Sequence, residues 1–94
     1  MSAEAAVEVT ITHEHGLHLR PAADFVRLAA RYRAVVLVSN LTRGGRRANA
    51  RSVLEVTALG VDKGHLVRLE ASGEDAGAAL KALKDLVQSG LRKE

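Results

Sequence analysis

At Gly16-Leu17-His18-Leu19-Arg20-Pro21-Ala22-Ala23 the chain changes its hydrophobic period, and this change constrains the fold more than any other feature. Before it, Val7, Val9 and Ile11 alternate with Glu8, Thr10 and Thr12, the period of a strand with one buried face. After it, Ala22, Val26, Ala29 and Arg33 fall along one helical row that Phe25, Leu28 and Tyr32 widen, so a first helix is predicted to about Tyr32. A strand that feeds a helix through so few residues must turn sharply. Gly16 accepts the backbone angles such a turn needs, and Pro21, with φ preset and no N–H, suits the first helical position. On this reading His18 and Arg20 sit just outside the helix. Free N–H groups and the positive end of the helix dipole gather there and favour an anion, phosphate above all. An imidazole at that point is also a nucleophile, and a guanidinium two residues on can hold the oxygens of a phosphoryl group the ring has accepted.

The remaining chain alternates the same two periods. Ala34 to Ser39 is a β-branched run that predicts a buried second strand. Asn40 to Arg47, with Gly44-Gly45 supplying positive φ, predicts a hairpin connection into a short third strand near Arg47 to Asn49. Arg43, Arg46, Arg47 and Arg51 crowd this region, as an exposed edge that resists pairing with other chains would require. Ser52-Val53-Leu54-Glu55 has the hydroxyl and carboxylate spacing of a reciprocal helix cap. A short helix is expected from there to Leu59, stopped by Gly60. Val53, Leu54, Val56, Ala58 and Leu59 exceed what one buried face can use, so some of them should meet solvent or a partner. After a Val61-Asp62-Lys63-Gly64 turn, His65 to Ser72 predicts a fourth strand with Val67, Leu69 and Ala71 inward. Ser72 and Asp75 are expected to cap a last helix striped by Ala76, Ala79, Leu80, Leu83, Leu86 and Val87, which Gly90 ends before a frayed tail. The order βαββαβα gives an α+β domain over residues 1–94, a four-stranded antiparallel sheet with three helices on one face.

Composition narrows the chemistry. No cysteine excludes a disulfide framework, a thiol nucleophile and thiolate metal sites. The net charge of +3 fits an acidic partner surface or nucleic acid. Phe25 and Tyr32, the only aromatics, both fall on a helix, whereas RNA-binding sheets need stacking aromatics on strands, so nucleic acid is not expected as a partner. His13, His15 and His18 admit a divalent-metal reading, with the first two on one strand face. Glu14 is the only neighbouring acid, and no metal is assigned. The first residues have neither a basic region nor an apolar run, so no membrane insertion and a cytoplasmic location are expected.

Three stretches together resemble HPr, the histidine-containing phosphocarrier family of the bacterial phosphoenolpyruvate-dependent sugar phosphotransferase system. They are Gly16 to Ala23, which is similar to the family's active-site signature; Ala50-Arg51-Ser52-Val53-Leu54 with Leu59-Gly60, similar to its regulatory-serine segment; and Gly73-Glu74-Asp75 at the start of the last helix. The resemblance implies an open-faced β-sandwich and a stoichiometric carrier that is not itself an enzyme and needs no cofactor. It implies that His18 accepts a phosphoryl group at Nδ1 from phosphorylated enzyme I and passes it to the EIIA domain of a sugar permease. Arg20 would steady the phosphate, with Gly16 and Pro21 supporting the helix mouth. Ser52 matches a position that an HPr serine kinase phosphorylates in some bacteria. Leu19, Ala23, Arg27, Val53 and Leu54 would form a docking face around His18, on a carrier that acts as a monomer. The chain departs from the family pattern in a longer, arginine-rich connection between the second and third strands, in Leu19, where small or hydroxyl residues are usual, and in Glu55, where a neutral or basic residue is common. Val87-Gln88-Ser89-Gly90 is similar to the nitrogen-branch regulatory paralogue, which is the alternative assignment.

Overall fold

A computed structural model describes residues 4–89. It contains β1 (Glu4–Thr10), α1 (Leu19–Ala29), β2 (Val35–Asn40), a 3-10 turn (Leu41–Arg43), β3 (Arg47–Asn49), α2 (Val53–Ala58), β4 (Leu66–Ser72) and α3 (Ala76–Ser89). The strands form one sheet in the order β1-β4-β2-β3, every neighbouring pair antiparallel. Since β1 and β2 both run antiparallel to β4, they are parallel to each other and α1 carries the chain over the strand between them. β4 takes a central place because Val67, Leu69 and Ala71 give it an apolar row on the covered face. Register then aligns Val7, Leu69, Val38 and Ala48 across all four strands. All three helices lie over this side. Phe25 from α1, Val56 from α2 and Ala79 and Leu83 from α3 are fully buried against it.

The other face of the sheet is open, as the expected open-faced sandwich requires. It carries a ladder of charge, with Ala6, Val35 and Leu37 beside it. Arg68 pairs with Glu8 and Glu70, each at 3.3 Å, and Arg47 reaches Glu70 at 3.0 Å. Such exposed pairs add little stability each. They keep the strands' second face compatible with water, and β3 at the edge is short and polar.

Several local expectations need correction. α1 stops at Ala29 and not near Tyr32, its last turn tightening through Arg31 N–H to Leu28 O at 3.0 Å and Tyr32 N–H to Ala29 O at 3.2 Å. Pro21 is the third residue of α1, not the first, and Arg20 lies inside the first turn; only His18 stays outside, as the N-cap. A third helical residue suits proline as well, since its N–H would also lack a helical partner. His13 and His15 lie in the turn beyond β1 and share no strand face. The cap of α2 is half of the expected reciprocal pair: Ser52 Oγ accepts from Glu55 N–H at 3.2 Å, but the Glu55 carboxylate accepts from Asn49 N–H at 2.9 Å. Arg51 donates to the Tyr32 carbonyl and Arg47 pairs with Glu70, so these two arginines tie elements together and do not only solvate an edge. The role expected of Gly90 and the tail lies outside the described residues.

Ser72 belongs to β4 and does not cap α3; Asp75 holds the position before α3, its carbonyl accepting from Ala79 N–H at 2.9 Å, but its carboxylate is used elsewhere. Its carboxylate accepts from Arg33 N–H at 2.9 Å and Ala34 N–H at 2.8 Å, clamping the exit of α1 to the start of α3. The segments meet closely enough that a Cβ on Gly73 would stand 3.1 Å from Ala34 Cα. A second close approach joins the loop before α1 to the turn after α2. Gly16 has φ +56°, and a Cβ there would fall 2.0 Å from Val61 O. Leu17 N–H donates to that same carbonyl at 3.0 Å.

Two outcomes follow from these clamps. Gly16→Ala is expected to lower stability by about 2 kcal/mol or more, read as a lower urea midpoint, because both its φ and the Val61 carbonyl oppose a side chain. The hydrogen bond from Arg33 N–H holds the Asp75 carboxyl below the usual carboxylate range, desolvation acting the other way and the Ala34 N–H adding to the lowering. A folded value below the unfolded one means stability that is present above the ordinary range and lost as pH falls through the folded value. Asp75→Asn should therefore be less stable than the parent near neutrality, with the gap closing as pH falls below about 4; a gap independent of pH would show that the charge is not involved.

Candidate functional site

The loop from Ile11 to His18 is built by main-chain bonds that leave little freedom. Ile11 N–H donates to His65 O at 2.9 Å and Gly64 N–H to Ile11 O at 2.8 Å, which binds the end of β1 to the turn before β4. Gly16 then packs against Val61, and His18 N–H donates to His15 O at 3.2 Å. His18 is extended, with φ −97° and ψ 150°, while Leu19 turns the chain into the helix at φ +41°, a value that side-chain-bearing residues seldom adopt. An α-helix leaves four N–H groups at its start without helical partners. Here that of His18 is used within the loop and Pro21 has none, which leaves the amides of Leu19 and Arg20 as the helix-start donors.

The His18 side chain is 43% exposed and does not serve as a side-chain cap. Its Nε2 lies 2.7 Å from Oδ1 of Asp62, in the turn that follows α2. An ionised carboxylate only accepts, so Nε2 carries a hydrogen, and in the neutral ring Nδ1 keeps the lone pair. Asp62 is 57% exposed, and the hydrogen bond from His18 holds its carboxyl below the usual carboxylate range against some desolvation. The nearby charges of His18, His65 and Arg43 act in the same direction.

Around the ring, His18, Leu19, Arg20, Ala23, Val53, Leu54 and Thr57 line one shallow depression between α1 and α2. Leu19 and Leu54 are 82% and 78% exposed, and Val53 is exposed as well. The structure thus brings Leu19, Ala23, Val53 and Leu54 together with His18 and Arg20. Arg27, from the same predicted set, is not among these residues; it is exposed one turn or more along α1 and pairs with Asp24 at 3.4 Å. Ser52 is the N-cap of α2, its hydroxyl engaged by Glu55 N–H.

Asp62 is the residue that sequence reasoning missed. In Val61-Asp62-Lys63-Gly64 it reads as an ordinary turn aspartate. It stands 44 positions from His18 with no pattern linking the two. Thr57, which also lines the depression, was likewise unmarked. The His13 and His15 rings lie 5.8 Å apart between centroids, tilted at 51°, and His13 Nδ1 accepts the His15 N–H. Among the described residues no group of three His, Cys, Asp or Glu side chains gathers that could hold a metal ion, and no helix is long and apolar enough to cross a membrane.

A family model described as the PTS HPr component phosphorylation site matches residues 5–89. The multiphosphoryl transfer protein of Salmonella typhimurium is 44% identical over 86 residues, covering 92% of this chain and 23% of that protein, so the chain spans about a quarter of that relative's length. The phosphocarrier protein HPr of Buchnera aphidicola is 38% identical over 76 residues, covering 81% of this chain and 86% of that one. Among solved structures, the phosphocarrier protein HPr of Bacillus anthracis superposes with a TM-score of 0.86 at 32% identity, covering 92% of this chain and 99% of its own. With matches of this extent in sequence and in fold, and a histidine at the mouth of α1, the chain belongs to the PTS HPr family of phosphocarriers.

Proposed function

We propose that His18 is the phosphoryl-carrying residue, loaded at Nδ1 by phosphorylated enzyme I and unloaded onto the EIIA domain of a sugar permease. The observation that carries this reading is the half-exposed ring at the start of α1 with Nε2 engaged by Asp62, which leaves Nδ1 as the nitrogen with an available lone pair. In loading, the Nδ1 lone pair forms an N–P bond as the donor's bond to phosphorus breaks, its electron pair returning to the donor. Unloading reverses this. The protein emerges unchanged from a full cycle, so it is a stoichiometric carrier and the reading calls for no cofactor. The amides of Leu19 and Arg20 and the Arg20 guanidinium supply donors for the phosphoryl oxygens at a point where the helix dipole already favours negative charge. Leu19, Ala23, Val53 and Leu54 give two successive partners one apolar surface around the reacting atom, while Arg20 and Arg27 favour acidic partners.

Ser52 is the second modification site in this reading. Phosphorylation by a serine kinase would place a dianion next to Glu55 and beside the docking residues Val53 and Leu54. That adds like charge to the surface an acidic partner must approach. Phosphoenolpyruvate is a cytoplasmic metabolite, and the chain is assigned to that compartment, which cell fractionation tests directly.

Incubation with phosphoenolpyruvate and enzyme I is expected to add one phosphate, labile in acid and stable in base, that His18→Ala does not take up; label on His18→Ala would remove the assignment. Arg20→Ala should keep its fold by circular dichroism yet load roughly 10- to 100-fold more slowly, and an unfolded variant would make Arg20 structural instead. Ser52→Asp retains a good N-cap and should keep its melting temperature while loading more slowly. Unchanged loading of that variant would sever Ser52 from control of His18.

A further inference from the structure

Asp62 is built into its place from two directions. On one side, Gly16 and Leu17 hold the loop bearing His18 against the Val61 carbonyl. On the other, Asp62 N–H donates to His65 Nδ1 at 3.1 Å and His65 N–H returns a bond to Asp62 O at 3.0 Å. Asn40, 1% exposed at the end of β2, sits behind this turn, its Nδ2 3.1 Å from the same His65 Nδ1 and 3.2 Å from Leu59 O. A ring nitrogen that receives two N–H donors must be the unprotonated one, so His65 carries its hydrogen on Nε2. The backbone that carries the Asp62 carboxylate is therefore held by main-chain bonds and, through His65, by a buried amide.

We propose that Asp62 is a positioning residue for phosphoryl transfer, one that keeps the hydrogen on His18 Nε2 through loading and unloading and balances the charge the ring acquires while Nδ1 bears the phosphoryl group. This rests on the assignment of Nδ1 of His18 as the carrying atom. The neutral ring enters with hydrogen on Nε2 and a lone pair on Nδ1. When Nδ1 bonds to phosphorus, the ring becomes a phosphoimidazolium with one positive charge, and the Asp62 carboxylate faces that charge across the 2.7 Å hydrogen bond. When the phosphoryl group departs, the electron pair of the N–P bond returns to Nδ1. The ring is again neutral with the same hydrogen still on Nε2. No proton needs to enter or leave with solvent in either direction. If the hydrogen were lost while phosphate was bound, imidazole would have to depart as its anion, a far poorer leaving group. Asp62 thus keeps the carrier in its transferable form, and the same feature makes the bond to phosphorus susceptible to water.

The charged groups near this pair come from three places. His65 belongs to the same turn as Asp62, Arg43 approaches from the 3-10 turn after β2, and Arg20 extends from the first turn of α1. Arg43 favours the ionised carboxylate, which helps Asp62 to remain a charged acceptor.

The test uses the full chain, with and without enzyme I and phosphoenolpyruvate. In the unmodified protein, 15N spectroscopy of the imidazole should show the Nε2–H tautomer of His18 predominating at mildly alkaline pH; predominance of Nδ1–H would overturn the proposal without any variant. Asp62→Asn keeps the shape and removes the charge. Its phosphorylated form should show a hydrolysis profile displaced toward lower pH, and at a fixed pH on the slope it should hydrolyse about two- to five-fold more slowly, the range of an exposed ion pair. Asp62→Ala should shift the profile the same way and also mix the two tautomers. Profiles of both variants that overlay the parent's would overturn the proposal while leaving His18 as the carrier. Absence of phosphate from His18 in the parent would instead overturn the carrier assignment itself.

Discussion

The carbonyl of Val61 is the point on which the site depends. It receives the Leu17 N–H at 3.0 Å and leaves no room for a side chain at position 16, so two loops that are distant in sequence touch backbone to backbone. One loop carries His18 and the other Asp62. A glycine is required there for two reasons at once, φ +56° and the close approach. The contact lies between elements that are themselves secured, β1 by its ladder to β4 and α2 by Val56 in the core. Precision at the imidazole is thus inherited from the packing of the sheet and helices, and not from the exposed residues around it.

The two faces of the sheet divide the work of a small domain. The covered face supplies nearly all the apolar burial, including Phe25, the largest fully buried side chain among the described residues, and no buried side-chain polar atom among them is left unpartnered. The open face supplies charge pairs of modest value and keeps the sheet from seeking another sheet. The exposed apolar residues are concentrated where α1 and α2 flank His18, with Leu19 and Leu54 more exposed than a stable core would allow. A surface of that kind suits contacts that form and dissolve in turn, since each partner buries a small apolar area and a few charges.

Much of the architecture was legible because its signals are local. Alternation located β1 and β4, a β-branched run located β2, and the Gly44-Gly45 pair, whose φ values of +96° and +74° suit glycine, located the hairpin into β3. Ser52 was legible as a cap because the hydroxyl and its target amide are three residues apart. The errors share a cause. Asp75 and Glu55 look like helix-capping acids by position, yet each is taken by main-chain N–H groups elsewhere, Arg33 and Ala34 in one case and Asn49 in the other. α1 ends early because the chain must turn toward that Asp75 clamp, which apolar spacing through Tyr32 cannot reveal.

The sequence alone determined the order of elements, the face of each that is buried, and the placing of an imidazole and a guanidinium at a helix start, since hydrophobic period, glycine and proline act over a few residues. Only the tertiary structure decided which acid meets that imidazole and by which ring nitrogen. The pairing of His18 with Asp62 comes from closing the chain across 44 positions, and no short-range propensity encodes the partner of a group that far away.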